Sequence, residues 1–191
     1  MHEIVQSYLE TLKTTPDNTI WEDLTLKLAL ALEFSSRNIG DNDYLFYHSN
    51  LPESLLTQKM DIPTQRDVVQ QLVYLIREVD HYQHPGLVWA ISKAAPVVAV
   101  DAALTLMQKW PLDCDEVLTR QLILIFDDID RDEDGHSLAE IVKLLRARYP
   151  IPFLKCILVR YNEPTTKRAV PTTDICEVAQ RNIEKIEAYL R

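Results

Sequence analysis

Residues 96–111 read PVVAVDAALTLMQKWP, so that Pro96 and Pro111 bound a segment rich in Val, Ala and Leu. No glycine or internal proline interrupts this segment. Proline is tolerated in the first turn of a helix but cannot continue one, so the two prolines mark a helix start and a helix end. The segment therefore predicts one helix from Val97 to Trp110, and other parts of the chain have the same form.

Apolar side chains recur at helical spacing along most of the sequence. Residues 4–12 place Ile, Val, Tyr and Leu on one face and are followed by Pro16, which predicts an amphipathic helix. Residues 68–79 carry a second such stripe. Residues 122–126 are apolar on every side, as is typical of a central helix covered all round. Residues 35–64 are the least regular, and we expect loops with one or two short helices there.

Cap and turn signals divide this pattern into separate helices. Thr19 with Glu22, and Ser137 with Glu140, have the spacing of a capping box. The other expected helix starts are Thr64, Leu87 after a break at residues 84–86, Asp113, Ile151, and Thr173 or Asp174. Residues 151–161 fit helix or strand by pattern alone, and the surrounding helices favour helix.

These elements predict an all-α fold of about 8–9 helices. A length of 191 residues fits one domain, since domains usually hold ~100–200 residues. We therefore expect a single domain over residues 1–191, with an acidic part at 1–140 and a basic C-terminal part at 141–191.

Helix pairs recur in the sequence at roughly the ~40-residue period of helical-repeat arrays. The segment PVVAVDAAL at residues 96–104 resembles a HEAT-type helix, in which small residues allow paired helices to pack closely. The resemblance covers residues 65–160 and implies a short HEAT-like array. The alternative is a helical bundle without a repeat.

Composition excludes several kinds of protein. With only 3 glycines, the chain has no glycine-rich loop that could bring backbone amides close to a phosphate, so P-loop and Rossmann nucleotide binding are excluded. Cys114, Cys156 and Cys176 show no paired spacing and are interpreted as bystander thiols in a reducing cytoplasm. We find neither a secretory signal nor an apolar run of ~18 residues, and we expect a cytoplasmic protein without a membrane partner.

No motif in the sequence predicts catalysis, a cofactor or a metal. His81 and His84 have metal-compatible spacing, but Pro85 follows directly and no third ligand is near. Residues 130–135 resemble the start of an EF-hand calcium loop with a helix on each side. Its twelfth position holds Ile141 where the loop needs a bidentate Glu. We interpret it as an acidic interhelical loop, and we expect no enzyme, no cofactor and no metal site.

Charge is distributed unevenly along the chain. Residues 1–140 hold 24 acidic and 10 basic side chains, a balance of −14, and residues 141–191 hold 5 and 10, a balance of +5. The acidic part repels nucleic-acid phosphate and favours a basic partner. We expect the basic residues of 141–191 to pair with the acidic part internally or to lie in solvent, and we expect no binding of nucleic acid.

Two classes of protein-binding function fit these features. The small, acidic chain resembles bacterial toxin-immunity proteins in composition, which implies an inhibitor that neutralises a toxin or nuclease with a basic surface. The alternative is a helical-repeat adaptor or scaffold that binds a peptide or a partner helix, and a further alternative is an enzyme whose site is not visible in the sequence. The candidate partner-binding residues are an acidic cluster and an aromatic group: Asp127, Asp128, Asp130, Asp132, Glu133 and Asp134, with Tyr44, Phe46 and Tyr47.

Overall fold

The structure, a computed structural model, describes residues 3–36, 51–52, 54–55, 58–78, 84–109, 116–131, 138–162 and 173–191. Within these ranges 88% of the residues are helical and none lies in a strand. The predicted all-α fold is therefore confirmed. No helix in these ranges combines the length and the apolar character needed to cross a lipid bilayer.

The described part of the chain contains nine α-helices and one 3₁₀ helix with defined bounds, and residues 54–55 are also helical. The α-helices are α1 (Glu3–Thr14), α2 (Asn18–Ser36), α3 (Ile62–Glu78), α4 (His84–Ser92), α5 (Pro96–Lys109), α6 (Glu116–Leu124), α7 (Leu138–Ala147), α8 (Ile151–Asn162) and α9 (Thr173–Leu190). The 3₁₀ helix, Ile125–Arg131, follows α6 directly. The proline-bounded segment is helix α5, and residues 151–161 are helical, as the sequence predicts.

The start of α2 differs from the predicted capping box. The helix begins at Asn18, and the Asp17 carboxylate accepts hydrogen bonds from the backbone amides of Thr19 at 2.8 Å and Ile20 at 3.4 Å. Asp17 is therefore the N-cap, and Thr19 and Glu22 lie inside the helix. The prediction was wrong by two residues because an Asp and a Thr can both cap a helix, and the sequence does not show which one the chain uses.

This cap gives a testable contrast between two neighbouring substitutions. We expect Asp17→Ala to destabilise the fold by about 1 kcal/mol, because two amides of the first turn lose their acceptor. Thr19→Ala should change stability by less than about 0.5 kcal/mol, since alanine has a higher helix propensity than threonine. Urea unfolding of both variants measures the difference. If Thr19→Ala lost more stability than Asp17→Ala, Thr19 would be the N-cap, as the sequence predicts.

Two further starts lie upstream of their predicted positions. Helix α3 begins at Ile62 rather than Thr64, because Asp61 caps it: the Thr64 amide donates to the Asp61 carboxylate at 2.9 Å. Hydrogen bonds from the side chain and the backbone of Thr64 hold the pKa of Asp61 below its ordinary value. Helix α4 begins at His84, so the predicted break at residues 84–86 was wrong. In both helices proline lies in the first turn, where its missing N–H has no helical partner to lose.

Residues 122–126 are central, as predicted, but they do not form one helix. Leu122, Ile123, Ile125 and Phe126 are buried. The α-helix ends at Leu124, and the chain continues as the 3₁₀ helix. The carbonyl of Ile123 accepts a hydrogen bond at 2.7 Å from the side-chain amide of Asn182, a buried residue of α9. A side chain from another helix therefore provides hydrogen bonding where the helix type changes.

The helix contacts define two layers. In the first layer α1 packs on α3, α3 on α5, and α5 on α7. In the second layer α2 packs on α4, α4 on α6, and α6 on α9. Contacts of α1 with α2, of α4 with α3 and α5, and of α7 with α9 join the layers, and α8 packs on α9. Each helix from α1 to α5 therefore packs on the helix that comes two places later in the chain, so that α1 packs on α3 and α5 packs on α7.

Helix α5 lies at the centre of this arrangement, in contact with α3, α4, α7 and the 3₁₀ helix. Most of the buried side chains in its first nine positions are small or β-branched, which lets its neighbours approach closely. The buried residues of its first nine positions are Val97, Val98, Ala99, Val100, Ala102, Ala103 and Leu104. Two of these buried residues, Val98 and Ala102, also line the groove described next, together with Asp101 and Thr105 of the same helix.

Candidate partner-binding surface

A groove of about 330 Å³ lies between α3 and α5 in the first layer. Its floor consists of the buried aliphatic side chains Val69, Val73, Val98 and Ala102. Tyr74 lines it while remaining 56% exposed. An apolar floor beside an exposed tyrosine is the composition that protein interfaces favour at their centres.

The rim of this groove is polar, and ion pairs with residues outside the groove hold it in place. Arg148, just after α7, pairs with the Asp101 carboxylate and donates to the Thr105 hydroxyl at 3.0 Å. Glu140 of α7 pairs with Arg66 on α3. Because Asp101, Thr105 and Arg66 all line the groove, the neighbouring helix fixes its polar edges. A surface that is already ordered loses less entropy on binding.

Among the described residues, the expected pairing between the basic and acidic parts is seen in at least two places. Arg148 with Asp101 is the first. At the second, Arg181 of α9 pairs with the Asp127 carboxylate, and the Lys185 ammonium donates to the Asp127 carbonyl at 2.9 Å. Both contacts join a residue of 141–191 to one of 1–140, so part of the charge imbalance is neutralised within the molecule.

The predicted acidic cluster is only partly within the described residues. Asp127 and Asp128 lie half-buried on the 3₁₀ helix, and Asp127 already has Arg181 as its partner. For Asp130 the structure describes the backbone, which belongs to the same 3₁₀ helix. The remaining members, Asp132, Glu133 and Asp134, lie outside the described residues. The predicted aromatic group, Tyr44, Phe46 and Tyr47, also lies outside them.

Sequence reasoning did not single out the α3–α5 groove. One signal was available: Tyr74 lies off the apolar stripe of its own helix, which runs through residues 68, 69, 72, 75 and 76. An aromatic residue on the polar face of an amphipathic helix is a candidate for an interface. The partner face on α5 was not foreseeable, because it depends on which two helices become neighbours.

Metal-ligating side chains do not converge in the described part of the chain: no group of three or more His, Cys, Asp or Glu residues there could hold an ion. The acidic residues 132–134 and the glycine of the EF-hand-like segment lie outside that part. The α3–α5 groove presents apolar, aromatic and charged side chains.

No protein-family model, curated protein or solved structure matches this chain. The HEAT-like and toxin-immunity resemblances therefore stay predictions. The features that bear on function are the geometry of the α3–α5 groove and the charged side chains that line it.

Proposed function

We propose that this chain is a helical-repeat adaptor that binds a peptide or helix of a partner protein in the α3–α5 groove. The observation that carries the proposal is the buried aliphatic floor next to the exposed ring of Tyr74. An apolar groove with a polar rim is suited to the apolar face of an amphipathic segment. Ion pairs from α7 order the rim before any partner arrives.

A HEAT-like arrangement of residues 65–160 is part of this proposal. Its support is the contact pattern: α3 packs on α5 and α4 on α6 within the layers, while α4 packs on α3 and α5, and the 3₁₀ helix on α5, between them. Helical-repeat proteins stack hairpins in this way and bind partners on the surface of a layer. A cytoplasmic location belongs to the same proposal, and the exposed free thiol of Cys156 supports it.

The toxin-inhibitor hypothesis is the second candidate, and the charge balance of −14 over residues 1–140 favours it. An acidic surface would steer a basic toxin or nuclease to the chain. Asp127 is one of the predicted contact residues, but its carboxylate already pairs with Arg181. This internal ion pair weakens the argument for binding a basic partner there. We therefore place the adaptor first, and an enzyme whose site is not visible in the sequence third.

Substitution of Tyr74 tests the adaptor proposal. A partner captured by the tagged chain in its host would be purified, and its Kd for the chain measured by calorimetry. We expect Tyr74→Ala to weaken binding about tenfold or more, as the loss of an aromatic hot spot does. Tyr149→Ala is the matched control, because Tyr149 is similarly exposed at 51% and does not line the groove; it should leave the Kd unchanged.

The same partner separates the two candidates. Under the inhibitor hypothesis, reversing Asp130, Asp132 and Asp134 to Lys slows association and makes it less dependent on salt. Under the adaptor proposal this variant has a mild effect, and Tyr74→Ala causes the damage. An unchanged Kd for Tyr74→Ala, together with slow association of the triple variant, would favour the inhibitor.

A further inference from the structure

A second groove, of about 290 Å³, lies between α2 and α4 in the other layer. Two indole rings line it, those of Trp21 and Trp89. Its other side chains include the Glu22 carboxylate and the Asn18 amide. The chain thus places aromatic rings, a carboxylate and an amide around one opening.

The Trp21 ring is held in a fixed position. Trp21 is only 4% exposed, and its indole Nε1–H donates to the Leu12 carbonyl at the end of α1, at 3.1 Å. The ring therefore cannot rotate into solvent without breaking a buried hydrogen bond. It forms a preformed wall of the groove, which reduces the conformational entropy lost on binding.

Gly86 of α4 faces α2 at the groove. A Cβ atom added to Gly86 would lie 3.4 Å from the Cγ2 atom of Thr25 on α2, an ordinary van der Waals distance. Gly86 and Thr25 both line the groove. An alanine at position 86 would therefore be accommodated by the fold and would put a methyl group into the groove.

The groove has the chemistry of a cation-binding site. The face of an indole ring attracts cations because its quadrupole is negative there. The chain already shows this at one of the two rings: the Lys93 ammonium lies 5.5 Å from the centroid of Trp89 and 3.1 Å from the Glu33 carboxylate. Lys93 lies over the Trp89 ring and is not among the residues that line the groove. Glu22 is exposed and makes no ion pair among the described residues. Inside the groove, its carboxylate can therefore pair with a bound cation, as Glu33 pairs with Lys93.

We propose that the α2–α4 groove binds the guanidinium group of an arginine side chain presented by a partner protein. A guanidinium is planar, so it can stack on the half-buried Trp89 ring and donate two parallel hydrogen bonds to the Glu22 carboxylate, while the buried Trp21 ring forms the wall of the groove. The balance of −14 over residues 1–140 favours the approach of a basic segment. The inference rests on the proposed protein-binding function and adds the chemistry that the partner must present on this second face.

The test is a titration of the full chain labelled with 5-fluorotryptophan and observed by ¹⁹F NMR. The probe is N-acetyl-arginine amide, and its uncharged isostere N-acetyl-citrulline amide is the control. We expect the arginine probe to shift the Trp21 and Trp89 signals, assigned from single Trp→Phe variants, in a saturable manner. The citrulline probe should bind about tenfold more weakly, since it lacks the charge that the Trp89 ring and Glu22 attract.

Three variants make the assignment specific. Glu22→Gln should weaken arginine binding severalfold, whereas Glu177→Gln, the same charge change at an exposed site on α9, should leave it unchanged. Gly86→Ala should weaken binding because its methyl group narrows the groove. That variant should also raise the melting temperature, because alanine restricts the unfolded chain more than glycine does. A loss of binding in a more stable protein cannot be attributed to unfolding.

Several outcomes would overturn the inference. Equal affinity for citrulline and arginine would show that charge is not recognised, and equal affinity for N-acetyl-lysine amide would remove the preference for a guanidinium. Equal losses in Glu22→Gln and Glu177→Gln would mean that only the general field of the protein acts. If Tyr74→Ala leaves the partner's Kd unchanged while the arginine probe still binds, the adaptor proposal fails and this inference stands. If Tyr74→Ala weakens binding of the partner but the arginine probe does not bind, this inference fails and the adaptor proposal stands.

Discussion

Replacing Phe126 with alanine is expected to lower the free energy of unfolding by about 3–5 kcal/mol, the usual range for a large buried aromatic side chain. Phe126 is 0% exposed and lies in the 3₁₀ helix, which packs against α5 and α6. Truncation at the centre of the two layers would leave a cavity that several helices must close together. Because interiors are close-packed, such a cavity closes only in part.

Urea unfolding followed by far-UV circular dichroism measures this loss. Ile20→Ala provides the control: it removes an apolar side chain that is 42% exposed, and should lower stability by less than about 1 kcal/mol. If Phe126→Ala leaves too little folded protein, Phe126→Leu retains most of the volume and should lie between the control and the alanine variant. A loss near that of Ile20→Ala would mean that the 3₁₀ helix is not part of the core.

The second large effect is expected at Gln65, a buried polar residue of α3. Gln65 is 1% exposed, and its side-chain amide donates to the Met60 carbonyl at 3.0 Å and accepts from the Ala95 amide at 2.9 Å. One side chain thus joins the segment before α3 to the turn between α4 and α5. We expect Gln65→Leu to lower stability by about 2–6 kcal/mol, since it buries two backbone groups without partners at roughly 1–3 kcal/mol each.

Leucine is close to glutamine in volume, so the variant tests hydrogen bonding rather than packing. Gln70→Leu makes the same chemical change five residues later on the same helix, at an exposed position, and should alter stability by less than about 0.5 kcal/mol. Both are read from urea midpoints at a constant m value. Similar midpoints for the two variants would contradict the role assigned to Gln65.

The helix caps show which features of a helix start can be predicted from neighbouring residues in the sequence. The sequence correctly placed a helix start near residue 18 and another near residue 62, because the change from polar to periodic apolar residues is local. It assigned the wrong caps, Thr19 instead of Asp17 and Thr64 instead of Asp61. Asp and Thr side chains cap with similar free energies, so the choice follows from how the chain enters the helix.

The candidate sites show a similar division. Charge can be counted in a sequence, so the acidity of residues 1–140 was evident without a structure. The sequence did not show that Asp127 would meet Arg181, 54 residues later, because an ion pair requires the folded path of the chain. The α3–α5 groove has the same origin: each helix supplies an ordinary valine-rich face, and only their juxtaposition produces a groove beside Tyr74.

The sequence by itself determined the fold class, the number of helices within a narrow range and the central position of residues 122–126. These properties depend on proline, on glycine scarcity and on the 3.6-residue period, which act over a few residues of chain. Only the tertiary structure decided the two-layer arrangement, the 3₁₀ geometry after Leu124 and the positions of both grooves. Those features depend on contacts between residues tens of positions apart, and their free energy comes from close packing that no local pattern encodes.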